Sequence, residues 1–352
     1  MGRSTVSGDI IGVVTYRPFF PEPASGSCSR DMNRSTTSKE QDRLVLICEP
    51  SPVALAYARQ VTEQVAVLHP SLRVEVRPAR AMAARGRGKR SLGAALRALA
   101  RGTADAVLVP VATLPADLPE GFEVGVFMER LVPFQALVTE GGTLLEDLPA
   151  DARVGVRDGL VGFQLASHRS DLRPVVVRQT VDRCLKRVKS GRLDGLIAPV
   201  CELEMLGWQD WVSEVLDSSL FLPLPGQGAV ALVSTTGSRL YEKWLTDLDD
   251  AATRSAVEAE LTLVREMNDV DGHLGALAQV SGGMMHLDGG LWGTDGREIV
   301  RDSVSGEIAL GPHLGRDLAE KLFENGAHEF LRRPRRLTRA LEKVSNPLDS
   351  GE

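Results

Sequence analysis

The sequence predicts an α/β protein built from two doubly wound domains and a small third α/β domain. First, short apolar runs typical of buried strands alternate with segments in which apolar residues recur at helical spacing. Second, this alternation occurs twice in tandem, from residue 43 and again from about residue 140. Third, beyond residue 240 the pattern changes to a long amphipathic helix, glycine-separated strands and a closing helix.

The first unit opens with RLVLICEPSP, a strand that runs into a turn, and Ser51 is well placed to cap the helix VALAYARQVTEQVAVLH. SLRVEVRPA alternates like a strand, SLGAALRALARGTA predicts a helix that ends at Gly102, and DAVLVPV, FEVGVFM and FQALVTE predict further strands. The basic, glycine-bearing segment 79–90 predicts a solvated surface loop, with a lid that contacts anions as the alternative.

The second unit repeats this order. A strand at the end of LLEDLPADARVGV precedes the helix LVGFQLASHR, and TVDRCLKRVKSGRLDGLIAPV predicts a helix, a stop at Gly191 and a buried strand. The chain then returns through LPLPGQGAVALV (222–233), where two glycines allow a sharp turn around Gln227. This arrangement resembles periplasmic binding proteins, and in such folds ligands lie between the lobes at the carboxyl ends of strands.

The domain limits follow from these units. Residues 1–42 are rich in Ser, Arg, Thr and Pro without periodicity, which predicts a disordered leader. The rest of the chain is predicted to form three domains and a tail. Domain 1 covers 43–138 with 221–240, domain 2 covers 139–220, domain 3 covers 241–331, and a charged tail covers 332–352.

Composition argues against several functional classes. The 352-residue chain carries a formal net charge of −6, which argues against bulk nucleic-acid binding. It has no run of about 18 apolar residues that would predict a membrane span. The six histidines show no metal-binding spacing, so no metal is expected. The four cysteines lie far apart without a C-x-x-C motif, so a reducing cytoplasm is the expected compartment.

A series of motifs runs through the chain in a fixed order. It includes GTADAVLVPVATLPADLPEGF, LPADARVGVRDGLVGFQL, RQTVDRCLKRVKSGRLDGLIAP, CELEMLG and PLPGQGAV. Together they resemble the hydroxymethylbilane synthase (porphobilinogen deaminase) family, collinearly over about residues 43–331. The resemblance implies the two-lobed fold and an enzyme that joins four porphobilinogen units on a dipyrromethane cofactor, which a cysteine holds through a thioether.

The same resemblance exposes departures from the family pattern. The family's cofactor cysteine falls on Val270, and no cysteine follows Cys201, so we expect no covalent dipyrromethane cofactor. The family's general acid/base aspartate falls on Thr113, whose hydroxyl cannot shuttle protons at physiological pH as a carboxylate can.

Most of the family's substrate-binding arginines are also replaced. Each bidentate pair between an arginine and a carboxylate is worth about 1.5–3 kcal/mol, so their loss predicts that a polycarboxylate chain no longer binds. An alternative is that Arg157, Arg183 or Arg187 moves into a vacant place. The family's arginine positions are occupied here by Glu49, Leu160, Val161, Cys184 and Met205, whereas Arg178 is retained.

The polar residues expected to face the cleft form a mixed set that suits a small polar or zwitterionic ligand. They are Glu49, Ser51, Tyr57, Thr113, Arg157, Asp158, Arg178 and Gln227. Simpler roles stay open: Ser51 as a helix cap, Gln227 as part of a structural turn, and Arg157 paired with Asp158.

Three functions remain open on these grounds. The first, which we favour, is a repurposed enzyme of a specialised biosynthetic pathway that uses a small, possibly pyrrole-like substrate. The second is a non-catalytic ligand-binding protein that closes its lobes. The third is a protein partner of a biosynthetic complex with an apolar, vestigial cleft.

Overall fold

The structure is a computed structural model that describes residues 42–79, 89–239, 241–293 and 298–330. The predicted leader up to residue 41, most of the basic loop 79–90 and the predicted tail lie outside these residues. Described in chain order, the strands are β1 Arg43–Cys48, β2 Arg73–Pro78, β3 Ala106–Pro110, β4 Phe122–Phe127, β5 Gln135–Thr139, β6 Arg153–Val156, β7 Arg173–Val176, β8 Gly195–Pro199, β9 Val212–Val215, β10 Val230–Thr235, β11 Gly272–Ser281, β12 Met284–Gly293 and β13 Ile299–Glu307. The helices are α1 Pro52–Leu68, α2 Lys89–Ala100, α3 Gly159–His168, α4 Val181–Lys189, α5 Val200–Met205, α6 Ala251–Glu266 and α7 Gly311–Glu324.

The first two lobes have the same sheet topology. Lobe 1 has the strand order β2-β1-β3-β10-β4, and lobe 2 has β7-β6-β8-β5-β9. In each, the first three strands are parallel and joined by helices, as the β-α-β-α pattern predicts. The α/β fold class is therefore confirmed.

The sheet of each lobe contains both parallel and antiparallel strands. The sequence pattern had indicated parallel strands only. The strands β10 and β5 each run antiparallel to both of their neighbours. The reason is that these strands enter their sheets from the two crossovers between the lobes and not through a βαβ connection. The first crossover, residues 128–134, precedes β5, and the second, residues 216–229, precedes β10. The strand β5 pairs with β8 and β9 and so belongs to the sheet of lobe 2. The limits of the domains remain predictions.

Alternating apolar residues let each sheet bury both faces. In β1, Leu44 and Leu46 pack towards α1, whereas Val45 and Ile47 pack towards α2. The strands of lobe 2 divide their side chains in the same way between α3 and α4. Successive side chains of a strand point to opposite faces of the sheet, and here both faces are covered by helices. Apolar side chains are therefore needed on both faces, so such strands appear in the sequence as continuous apolar runs.

Local signals fix the ends of the helices near the cleft. The Ser51 hydroxyl accepts a hydrogen bond from the Ala54 amide at 3.2 Å, so the predicted cap of α1 is confirmed. Asp158 caps α3 in the same way through the Val161 amide at 2.9 Å. Gly102 and Gly191 follow α2 and α4 with a φ of +65°, a conformation that favours glycine at helix ends.

The third domain is a three-stranded antiparallel sheet covered by two helices. The strands β11, β12 and β13 pair in sequence order, and α6 and α7 supply the other side of a shared apolar core. The predicted long helix, glycine-separated strands and closing helix are all present.

A buried ion pair joins this domain to both crossovers. Glu260 of α6 is fully buried and binds the guanidinium of Arg130 at 2.7 and 3.2 Å. It also accepts hydrogen bonds from the amides of Gly226 at 2.5 Å and Ala278 at 2.7 Å. Arg130 lies in the first crossover and donates as well to the carbonyl of Gln227 in the second. One carboxylate therefore holds three segments that are distant in sequence.

The two crossovers lie against each other at the G-Q-G turn. The Leu131 amide donates to the Gly228 carbonyl at 3.0 Å. Gly228 has a φ of +79°, and a Cβ at this position would lie 2.5 Å from the Leu131 carbonyl oxygen. Glycine is therefore required by both backbone conformation and the close approach of the two chain segments.

We predict that Glu260→Ala lowers the free energy of unfolding by about 3–5 kcal/mol, because it leaves the Arg130 guanidinium buried and unpaired. Equilibrium urea unfolding would measure this loss. The control is Glu258→Ala on the same helix, which removes only a half-exposed contact to Arg254 and should cost about 0.5 kcal/mol or less. Equal losses in the two variants would contradict the role assigned to Glu260.

Candidate functional site

The polar centre of the cleft is an ion pair between Arg157 and Glu202. Arg157 follows β6, and Glu202 lies in the first turn of α5 directly after β8. The guanidinium Nη1 donates to the Glu202 carboxylate, and both side chains are about one-quarter to one-third exposed. Both residues lie just beyond the carboxyl ends of parallel strands, where this fold class places its ligands.

Glu49 joins this pair from lobe 1. It follows β1 and lies close enough to interact electrostatically with both Glu202 and Arg157. One side of Glu49 is open to solvent, but burial of the other side raises its pKa above 4.5, and the Glu202 carboxylate raises it further against the opposing effect of Arg157. These three side chains thus bring two carboxyl groups and one guanidinium together.

Tyr57 and Cys201 form a second contact between the lobes. The hydroxyl of Tyr57, on α1, lies close enough to the thiol of Cys201, on α5, for each group to affect the pKa of the other. Burial is the main cause that raises the pKa of both groups, to about 12 for Cys201. A thiol held in its protonated form is a poor nucleophile, so this pair serves contact between the lobes and not covalent chemistry.

Asp158 and His273 close the start of α3. Asp158 is the cap of this helix, and burial raises its pKa against the lowering effects of the Val161 amide, Arg157 and His273. The ring of His273, from β11, lies against Gly159 and 4.9 Å from the centroid of the Phe163 ring. The third domain therefore covers the amino end of α3 and takes part in the wall of the cleft region.

The Gln227 amide is bound within the protein. It is 5% exposed, its Nε2 donates to the Pro133 carbonyl at 2.5 Å, and its Oε1 accepts from Gln135 at 3.0 Å. Both partners belong to the first crossover or the strand that follows it. A ligand contact by Gln227 remains a prediction, and in this arrangement its amide joins the two crossovers.

The remaining predicted site residues lie apart from the ion pair. Ser51 is half-buried and caps α1, and Thr113 is exposed with its hydroxyl donating to the Pro110 carbonyl at 2.8 Å. Arg178 is exposed and makes no hydrogen bond or ion pair with the described part of the chain. The structure therefore brings Glu49, Tyr57 and Arg157 together around α5, whereas Arg178 stays free to meet an anion.

Several positions where the resemblance places arginines are apolar and closed. Leu160 and Val161 are 1% and 2% exposed, and Met205 packs against the core of lobe 1. Cys184 is buried, which raises the pKa of its thiol, and the nearby charges of Arg157 and Arg187 both lower it. Arg183 and Arg187 line a groove on α4. A move of one of these arginines into a vacant place remains a prediction.

Glu202, Cys201 and His273 are the site residues that the sequence reasoning missed. Glu202 could have been found, because it follows a buried strand by three residues, at the end of the sheet where ligands bind. Nothing local marks His273, which reaches the cleft region from a different domain.

Comparison with known proteins supports the family resemblance. The family described as "Porphobilinogen deaminase, dipyromethane cofactor binding domain" matches residues 89–243. Porphobilinogen deaminase of Syntrophobacter fumaroxidans is 31% identical over 304 residues, 82% of this chain and 97% of that protein. The chain belongs to the porphobilinogen deaminase family. Porphobilinogen deaminase of Roseiflexus castenholzii is 30% identical over 304 residues, 83% of this chain and 99% of that protein.

Two solved structures with distant similarity share part of this chain's length. The substrate-binding domain of a putative molybdenum ABC transporter from Clostridium difficile is 13% identical, with a TM-score of 0.40 over 62% of this chain and 96% of that one. The regulatory domain of an OxyR2 E204G mutant from Vibrio vulnificus is 18% identical, with a TM-score of 0.38 over 61% and 96%.

The residues present do not fit a dipyrromethane held by a thioether. Val270, at the position that the resemblance assigns to the cofactor cysteine, is 5% exposed in the core of the third domain. Its side chain has no sulfur to form the bond. The described cysteines, Cys48, Cys184 and Cys201, are all buried, and burial raises the pKa of each thiol.

The described residues contain neither a cluster of metal-binding side chains nor a helix able to span a membrane. No group of three or more His, Cys, Asp or Glu side chains there could hold a metal ion. In the same residues, no helix combines the length and apolar character needed to cross a membrane.

We predict that Glu49→Gln raises the melting temperature at about pH 7 and has no effect at about pH 4. The folded protein raises the pKa of Glu49, so folding favours the protonated form, and the ionised carboxylate at neutral pH destabilises the fold. Below the ordinary pKa of 4.5 the carboxyl is protonated in both states and the difference vanishes. Thermal unfolding at the two pH values measures the difference in melting temperature between the variant and the unmodified protein. The control is Glu63→Gln, which changes an exposed glutamate of α1. A lower melting temperature for Glu49→Gln at neutral pH would contradict the assignment.

Proposed function

We propose that this chain is a divergent porphobilinogen deaminase-like protein whose interlobe cleft binds a small zwitterionic or amine-bearing compound, pyrrole-like or not. It acts as a repurposed enzyme of a specialised pathway, without assembly of a tetrapyrrole chain and without a covalent dipyrromethane. The observation that carries the proposal is the neutralisation of Arg157 by Glu202, with Glu49 alongside.

The charge balance of the cleft supports an amine ligand. Glu49 and Glu202 together carry two negative charges against the single charge of Arg157, so the cluster is negative overall when both carboxyl groups are ionised. A carboxylate-rich chain would meet repulsion there and would first have to displace Glu202 from Arg157. An ammonium group would instead lie beside two carboxylates.

Glu49 is the residue best suited to move a proton in this cleft. A carboxyl group whose pKa is raised above its ordinary value is a stronger base when ionised than an ordinary glutamate. Tyr57 and Cys201 keep their protons because burial raises their pKa values, so they shape the cleft next to Glu49. Catalysis by Glu49 is part of the proposal.

Family membership favours a second candidate, the ordinary deaminase activity. Identity of 31% along almost the full length of a porphobilinogen deaminase is the observation in its favour. A third candidate, a non-catalytic ligand-binding or partner protein, is favoured by the closed apolar side chains of Leu160, Val161 and Met205. Each of these two functions predicts a different result from the one that we propose.

We predict that the denatured protein has the mass of the polypeptide alone and forms no hydroxymethylbilane from porphobilinogen. The physical reason is that Val270 cannot form a thioether and Thr113 cannot replace a carboxylate in proton transfer. Intact mass spectrometry of the denatured and native protein, with an assay of porphobilinogen turnover, measures both. A covalent adduct with the mass of dipyrromethane, or turnover, would establish the ordinary deaminase and overturn the proposal.

We predict that two cleft variants change ligand preference in opposite directions. Glu202→Gln frees Arg157 and should tighten binding of porphobilinogen, which has two carboxylates, by about tenfold. Glu49→Gln should weaken binding of small amino compounds by about tenfold. Calorimetric titration of each variant measures these shifts, and Glu204→Gln on the same helix is the control because Glu204 has no contact with Arg157 in the described residues.

Three results would separate the candidates. The opposite shifts in the two cleft variants, with no change in the control, support the proposal. Binding in the absence of any turnover across a panel of amino compounds would favour the non-catalytic ligand-binding protein. Absence of any binding to the unmodified protein would favour the partner protein.

A further inference from the structure

The outer side of α4 carries a basic groove, which is separate from the cleft. The groove has a volume of about 460 Å³. Its lining consists of four cations and two neutral polar residues: Gln179, Arg183, Lys186, Arg187, Ser190 and Arg192. We call this the α4 groove.

Helical spacing separates the groove from the core. Val181, Cys184, Leu185 and Val188 are buried and pack into lobe 2. The cations of α4 that line the groove lie on the opposite side, because positions three and four apart share one face of a helix. A strongly amphipathic helix explains why this side is polar, but it does not explain why the side carries one sign of charge.

The charge of this segment opposes that of the whole chain. Residues 178–192 contain six cationic side chains and one carboxylate, a net charge of +5, whereas the chain has a net charge of −6. In the described part of the protein, none of the four cations that line the groove pairs with a carboxylate. Lys189 differs from them, because its ammonium lies 3.8 Å from the centre of the Trp211 ring and so holds the end of α4.

Helix stability does not account for the cluster. Cations near the carboxyl end of a helix interact favourably with its dipole, which accounts for Lys186 and Arg187. Arg183 lies in the first turn, where the same dipole disfavours a cation. Arg183 and Arg187 are also four residues apart, a spacing at which like charges repel. Arg192 lies outside the helix, beyond the Gly191 turn.

We infer that the α4 groove is a binding site for the di- or triphosphate group of a small molecule. Two or three phosphates concentrate three or four negative charges in a volume of this size, which matches four unpaired cations better than separate carboxylates would. The guanidinium groups can bind phosphate oxygens in pairs, and Lys186 adds a point charge. Gln179 can donate through its amide, and the Ser190 hydroxyl, which now donates to the Arg187 carbonyl at 3.2 Å, can turn to the ligand.

The test is calorimetric titration of the full chain with sodium triphosphate at fixed ionic strength. We expect one saturable site, and we expect Arg183→Gln/Arg187→Gln to weaken its affinity at least tenfold. The matched control is Arg59→Gln/Arg101→Gln, which removes the same charge from two exposed arginines in lobe 1 and should change the affinity less than twofold. Circular dichroism melting curves establish that both double variants fold.

Titrations with other anions show whether the groove recognises phosphate in particular and whether the phosphates belong to a nucleotide. Citrate should bind at least tenfold more weakly than triphosphate if phosphate charge density is what the groove recognises. If ATP binds more tightly than triphosphate, the ligand is a nucleotide. If the two affinities are equal, the groove recognises the phosphate chain alone. Both results support the site. Absence of saturable binding, equal affinity for citrate, or an equal loss in the two double variants would overturn the inference.

Discussion

A buried carboxylate is stable only if groups of the protein replace its hydrogen bonds to water. The Glu260 carboxylate accepts four such hydrogen bonds. Two come from Arg130 in the first crossover, one from Gly226 in the second and one from Ala278 in the third domain. The relation between the lobes depends on this group, since both connecting segments meet at it. Gln227 and Gln135 continue the same junction with a bond between their amides, so the turn at Gly226–Gly228 is held by side chains as well as by its backbone.

The character of the cleft follows from what has replaced the expected arginines. Leu160 and Val161 close one part of it with apolar side chains, and Glu49 and Glu202 surround the arginine that remains at the centre. An arginine that is already paired with a carboxylate has little left to offer another anion, because a ligand must compete with a partner held in place by the fold. The proposed function therefore rests on the residues of the site, because fold and family do not by themselves determine what a site binds.

The sequence predicted those features that depend on neighbouring residues. Ser51 caps α1 and Gly102 ends α2 because the signals lie within one helical turn. The bonds between Arg157 and Glu202 and between Gln227 and Gln135 join residues 45 and 92 positions apart, and no local pattern specifies such partners. The antiparallel direction of β5 and β10 was missed for the same reason, since it depends on how the chain crosses between lobes. The resemblance located Arg157 near the cleft, but only the folded chain brings Glu202 to it.

The apolar cluster around Leu160 limits which side chains this position can accept. Leu160 packs with Leu222, Leu277 and Trp292, which come from the second crossover and the third domain. An arginine at this position would place a guanidinium among side chains that offer it no partner. Because the cluster draws on three separate segments of the chain, all three would have to change together before a charged side chain could be accommodated here.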